Sequence, residues 1–201
     1  MSRQFSLAVI LAGLALTTPA QAHSPIMGIG GVPGGALHAM FIPEHGLGLL
    51  ALGLVLGQQA WPQRRVGLTI FVAVLTCGLF AAAFAIGESL AADVLLTATG
   101  VLGLLIAAAW VPPPLGWALA AIAGLTFALD SRPEVTSSQE AVEMLIGSGV
   151  AAVVIVAVIS ELSFRLRGNA QVIVSRVLGS WIAAIAILVL SLRIVTQITV
   201  G

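Results

Sequence analysis

Beyond residue 45, five long stretches of this chain carry no charged side chain: 46–63, 66–87, 94–129, 144–160 and 177–192. A helix needs about 20 predominantly apolar residues to cross the hydrocarbon core of a bilayer. Stretches of this length and spacing leave little chain over for a water-soluble surface. The whole sequence of 201 residues holds 8 basic and 8 acidic side chains, 8% charged, against about 25% in a soluble domain. That excludes a soluble enzyme, a disordered tail and a nucleic-acid binder, which needs a basic patch. The expected fold is all-α, a polytopic membrane helical bundle. Cys77 is the single cysteine, so neither an intrachain disulfide nor a thiolate cluster is available.

The N-terminus reads as a processing signal. Arg3 precedes an apolar run over 5–16, Pro19 breaks it, and Ala20-Gln21-Ala22 supplies an A-x-A cleavage site. The expected organisation is a signal peptide over 1–22, a glycine-rich external segment over 23–35, and a six-helix transmembrane domain over 36–201. Gly28, Gly30, Gly31, Gly34 and Gly35, with Pro33, make the external segment irregular rather than helical in this reading. The spans fall at 36–59, 66–87, 90–111, 115–129, 141–164 and 177–198. The 36-residue uncharged block is too long for one span, and Pro112-Pro113-Pro114 divides it into two with a tight turn.

Arginine placement orients the bundle. With the mature N-terminus outside, Arg64, Arg65, Arg165, Arg167 and Arg176 fall inside, and Arg132 and Arg193 outside. Five against two agrees with the positive-inside rule of a bacterial inner membrane. Merging the third and fourth spans would reverse that bias. Acidic residues lie the other way. Glu88, Asp93, Asp130, Glu134, Glu140 and Glu143 gather towards the outer ends, and only Glu161 lies near the inner face. Glu134 and Glu140 read as ordinary solvated loop residues. Gly53-x-x-x-Gly57 and Gly100-x-x-Gly103 read as helix-packing faces, and Trp61, Trp110, Trp117 and Trp181 as interfacial anchors near span ends.

The chemistry concentrates at the start of the first span. His23, His38 and His45 are the only histidines, and His38-Ala39-Met40-Phe41-Ile42-Pro43-Glu44-His45 runs directly into apolar chain. Imidazole and carboxylate at membrane depth are costly unless paired or bound to an ion. They suit borderline divalent ions such as Ni²⁺, Co²⁺ and Zn²⁺. On a straight helix His38 and His45 share a face but lie about 10.5 Å apart, too far for one ion. Pro43 removes a backbone hydrogen bond just before Glu44, so the sequence predicts a kink or unwound turn within 42–46. Asp93, at the start of the third span, is the second acidic candidate; as an Asp ahead of an apolar run it also fits a helix N-cap. The candidate metal ligands are therefore His38, Glu44, His45 and Asp93, with His23, Met40 and Glu88 behind them. Met40 is equally a packing residue.

Catalytic templates are missing. The chain has no H-E-x-x-H, no G-x-S-x-G and no G-x-x-x-x-G-K-[ST] loop. No permanent cofactor is expected.

A signal peptide ending before His23, then glycines, then a His-x5-acid-His segment opening the first span resembles the HupE/UreJ family. The family segment reads approximately His-Pro-x-x-Gly-x-Asp-His. Here His38, Glu44 and His45 keep the spacing, Glu replaces Asp, Ala39 stands where the family has proline, and a proline appears at Pro43 instead. Asp93, followed by Leu96-Thr97-Ala98-Thr99, is similar to the family's acidic residue ahead of a small-residue stretch. The two carboxylates have exchanged lengths, which preserves their combined reach if they meet at one ion. Many relatives carry a histidine-rich stretch mid-chain, and residues 127–134 stand in its place.

The resemblance implies an inner-membrane permease or supply protein for nickel, accompanying hydrogenase or urease systems. The implied partners are a divalent metal ion, the lipid bilayer, and a cytoplasmic metallochaperone or metalloenzyme maturation protein. The alternative implied by the same family is a non-transporting metal-binding accessory or structural membrane subunit.

Overall fold

A computed structural model describes residues 29–84, 90–133, 137–166 and 168–200. The signal-peptide reading of 1–22, and His23, Glu88, Glu134 and Arg167, lie outside the described residues. Within them the chain forms seven helices and no strand: α1 (Gly31–Phe41), α2 (Pro43–Gly57), α3 (Trp61–Ala83), α4 (Ala91–Ala108), α5 (Pro113–Asp130), α6 (Ser138–Arg165) and α7 (Gly168–Val200). Helices α3 to α7 are each long and apolar enough to cross a bilayer; α1 and α2 together make a sixth, broken span bent by 75°. The protein is a multi-pass membrane helical bundle.

The core is organised around α2. Beyond Glu44 and His45 in its first turn its sequence is apolar on every face, and a helix of that kind is buried rather than amphipathic. Leu49, Ala51, Leu52, Val55 and Leu56 are fully enclosed, with α4, α5 and α6 packed around them. Small residues set the closest approaches. Gly53 meets Val156 and Ile159 of α6, and Gly57 meets Ser160 and Ser163, while Gly103 of α4 abuts Gly179 and Ala183 of α7. Both small-residue motifs are thus packing faces, as expected.

The break between α1 and α2 falls at Ile42, inside the predicted window. A residue before proline is pushed out of the helical region. Ile42 accordingly sits at φ −77°, ψ 117°, and Pro43 starts α2. The Ile42 amide still donates to the His38 carbonyl and the Gly46 amide to the Ile42 carbonyl, so backbone hydrogen bonds flank the bend on both sides. The triple proline also behaves as expected. Ala109, in the left-handed region at φ 54°, ends α4, and Pro113 and Pro114 occupy the first turn of α5.

Two expectations are corrected. Residues 31–35 are helical, not irregular. Gly34 and Gly35 serve contact: both are buried, a β-carbon on Gly35 would lie 1.8 Å from the Met144 carbonyl oxygen, and one on Gly147 2.0 Å from the Val32 carbonyl oxygen. Helix α1 can therefore lie directly on the first turns of α6, where the Ser148 hydroxyl donates to the Gly35 carbonyl at 2.9 Å. The last helix starts at Gly168 rather than at 177. Residues 168–175 carry no charge and no proline, so nothing in them stops a helix.

The connections carry the chain from one end of the bundle to the other, and charge divides accordingly. His38, Glu44, Asp93, Asp130, Arg132 and Arg193 occupy one end; Arg64, Arg65, Glu161, Arg165 and Arg176 occupy the opposite end.

Candidate metal centre

The bend at Ile42 decides the geometry of the histidines. His38 lies in the last turn of α1 and His45 in the first turn of α2. Their rings are 5.2 Å apart between centroids, at 64° to one another. His45 is fully enclosed and packs on Phe127 of α5 with ring centroids 4.6 Å apart. Its Nε2 bonds the Asp130 carboxylate at 2.8 Å. An ionised carboxylate only accepts hydrogen bonds, so Nε2 carries the proton. In the neutral ring Nδ1 then holds an unshared lone pair. That atom is buried and has no hydrogen-bond partner among the described residues. A carboxylate on one ring nitrogen, leaving the other for an ion, is how proteins orient and strengthen histidine ligands.

Glu44 and Asp93 stand in a neighbouring group. Adjacent residues on a helix point about 100° apart, and Glu44 turns away from the partner of His45. Arg193, from α7, donates through Nη2 to Glu44 and through Nη1 to Asp93, the latter at 3.3 Å. One guanidinium thus gathers carboxylates from α2 and α4. Asp93 is not the cap of its helix. Leu90 occupies that position without a side-chain cap, and Asp93 lies in the first turn, where a negative charge suits the helix dipole.

The four expected ligands therefore form two adjacent pairs, two imidazoles and two carboxylates. Among the described residues, no three His, Cys, Asp or Glu side chains are positioned to hold one ion. Met40 is 57% exposed on the outside of the bend. Asp130 and Arg193 were not among the expected site residues. Their one sequence signal is position: each is the charge that closes a long uncharged stretch, 94–129 and 177–192, on the acidic side of the bundle.

The family model for "HupE / UreJ protein" matches residues 10–189 of this chain. The chain belongs to the HupE/UreJ family. No curated protein and no solved structure matches it. The residues that carried the HupE/UreJ resemblance, His38, Glu44, His45 and Asp93, all fall at this one end of the bundle.

The opposite end of this HupE/UreJ protein is built differently. Arg64 is buried. It donates to Glu161 at 2.5 Å and lies 4.9 Å from the ring centroids of both Trp61 and Phe164. Arg165 holds the other oxygen of Glu161 at 2.8 Å. Trp117 donates its indole N–H to the Gln63 carbonyl at 3.0 Å, the wet-end bonding expected of an interfacial tryptophan. Glu161, the one acidic residue that the sequence places near the inner face, is engaged by two arginines of its own chain.

Proposed function

We propose that the protein is an inner-membrane permease or supply protein for nickel or a related divalent transition-metal cation, received at the outer end of the bundle by His38 and His45. The observation that carries this reading is the ring separation of 5.2 Å. Two imidazoles bound to one ion through bonds of about 2.0–2.1 Å, at angles between square and tetrahedral, have centroids about 4.5–5.3 Å apart. The lone pair on His45 Nδ1 and the Asp130 bond to Nε2 support the same reading.

The ion exchanges water for imidazole nitrogen. Glu44 and Asp93 supply negative charge beside the pair. With Asp130 they give three carboxylates against one guanidinium, a formal balance of −2 over these four groups, which favours a cation. The basic end, with Arg64, Arg65, Arg165 and Arg176, faces the cytoplasm. There this reading calls for a soluble metallochaperone or metalloenzyme maturation protein to take the ion.

Uptake of radioactive nickel by cells expressing the protein tests the proposal. His38→Ala and His45→Ala are expected to abolish the uptake that the wild type adds. Unchanged uptake, with both variants present in the membrane, refutes transport through this site. Nickel binding by the purified wild type without any uptake selects the non-transporting accessory role.

A further inference from the structure

Arg193 is bonded between two acidic side chains at the outer end, and its placement gives it a role beyond orientation. Glu44 is 7% exposed and Asp93 27%, on different helices, and both are held by the same guanidinium. A buried carboxylate requires a counter-charge. Arg193 provides it. Arg193 itself is 29% exposed, near the end of α7, so its long side chain can swing its head group outward without unpacking the helix.

We infer that Arg193 is a tethered cation that occupies the Glu44–Asp93 carboxylates until an incoming divalent cation displaces it, and so sets how strongly an ion must bind to load the site. The inference rests on the reading of this end as a cation site. Any ion drawn to the carboxylates must first compete with a positive charge built into the chain. A borderline ion held by the neighbouring His38–His45 pair brings its charge against the guanidinium and can do so. A hard ion such as Ca²⁺, which seeks oxygen, gains no imidazole and is held off. Discrimination then comes from an obstacle to the wrong ion as much as from attraction to the right one.

The test is titration of the purified full chain in detergent with Ni²⁺ and, separately, with Ca²⁺. Wild type, Arg193→Gln, Arg193→Lys and His45→Ala are compared. Arg193→Gln is expected to tighten binding of both ions at least tenfold, while Arg193→Lys stays near wild type and His45→Ala loses Ni²⁺ alone. Arg193→Gln binding both ions within twofold of wild type, or more weakly, overturns the inference. A second measurement on the wild type covers the case in which Arg193→Gln does not fold. Phenylglyoxal labelling of Arg193, read by mass spectrometry, is expected to rise severalfold at saturating Ni²⁺. Labelling that is unchanged or falls overturns the inference. If the wild type binds no Ni²⁺ but Arg193→Gln gains Ca²⁺, the nickel reading fails and the tethered cation stands.

Discussion

Asp130→Asn tests whether the carboxylate beneath His45 is part of the site. The wild-type bond joins Asp130 to Nε2 at 2.8 Å, with the imidazole fully enclosed. Asparagine keeps an acceptor oxygen but removes the negative charge that makes the imidazole a better donor to metal. Loss of such an outer partner costs about 10–100-fold in metal affinity, or about 1.4–2.7 kcal/mol. Asp130→Ala goes further. It leaves a buried N–H without an acceptor, at about 1–3 kcal/mol of stability, and it frees the proton to move to Nδ1, where it blocks the lone pair. The expected order of nickel affinity by calorimetric titration in detergent is wild type, then Asn, then Ala, and Ala also has the lowest thermal midpoint. Nickel affinity within twofold of wild type in both variants would refute the reasoning, because it would mean the tautomer of His45 is irrelevant to binding.

Other outcomes follow from the packing. Gly35→Val places a side chain where the Met144 carbonyl lies; α1 must lift from α6, at about 1–3 kcal/mol or more, and nickel affinity is expected to fall at least tenfold because His38 rides on α1. The exposed Val32→Ala serves as the control with no effect. Arg64→Ala removes the ion pair to Glu161 and the stacking on Trp61 and Phe164, lowering stability by about 1–3 kcal/mol in thermal melts while nickel affinity stays at the wild-type value. On a Cys77→Ser background, a membrane-impermeant maleimide applied to intact cells is expected to label Arg132→Cys and not Arg165→Cys; the reverse pattern contradicts the orientation.

Local chemistry made some of this legible in the sequence. Pro43 acts on its immediate neighbour, so the bend at Ile42 followed from the chain alone. Pro112, Pro113 and Pro114 likewise marked the α4–α5 turn, and uncharged length marked the spans. Asp130 and Arg193 were not legible as site residues, because their partners are 85 and 149 residues away in sequence, and no local pattern encodes such a meeting. Arg193 entered the sequence reading only as an exception to the arginine bias. The glycines at 31–35 misled for a related reason. Glycine marks irregular chain and close helix contact alike, and only the presence of α6 decides between them.

The central claim is that two imidazoles brought together by the broken first span hold one ion. X-ray absorption at the nickel edge, on the purified protein loaded with one equivalent of Ni²⁺, measures this directly. The account predicts the scattering of two imidazole ligands in the wild type, reduced to one in His38→Ala and in His45→Ala. A nickel environment of oxygen donors alone, unchanged in both variants, would contradict it.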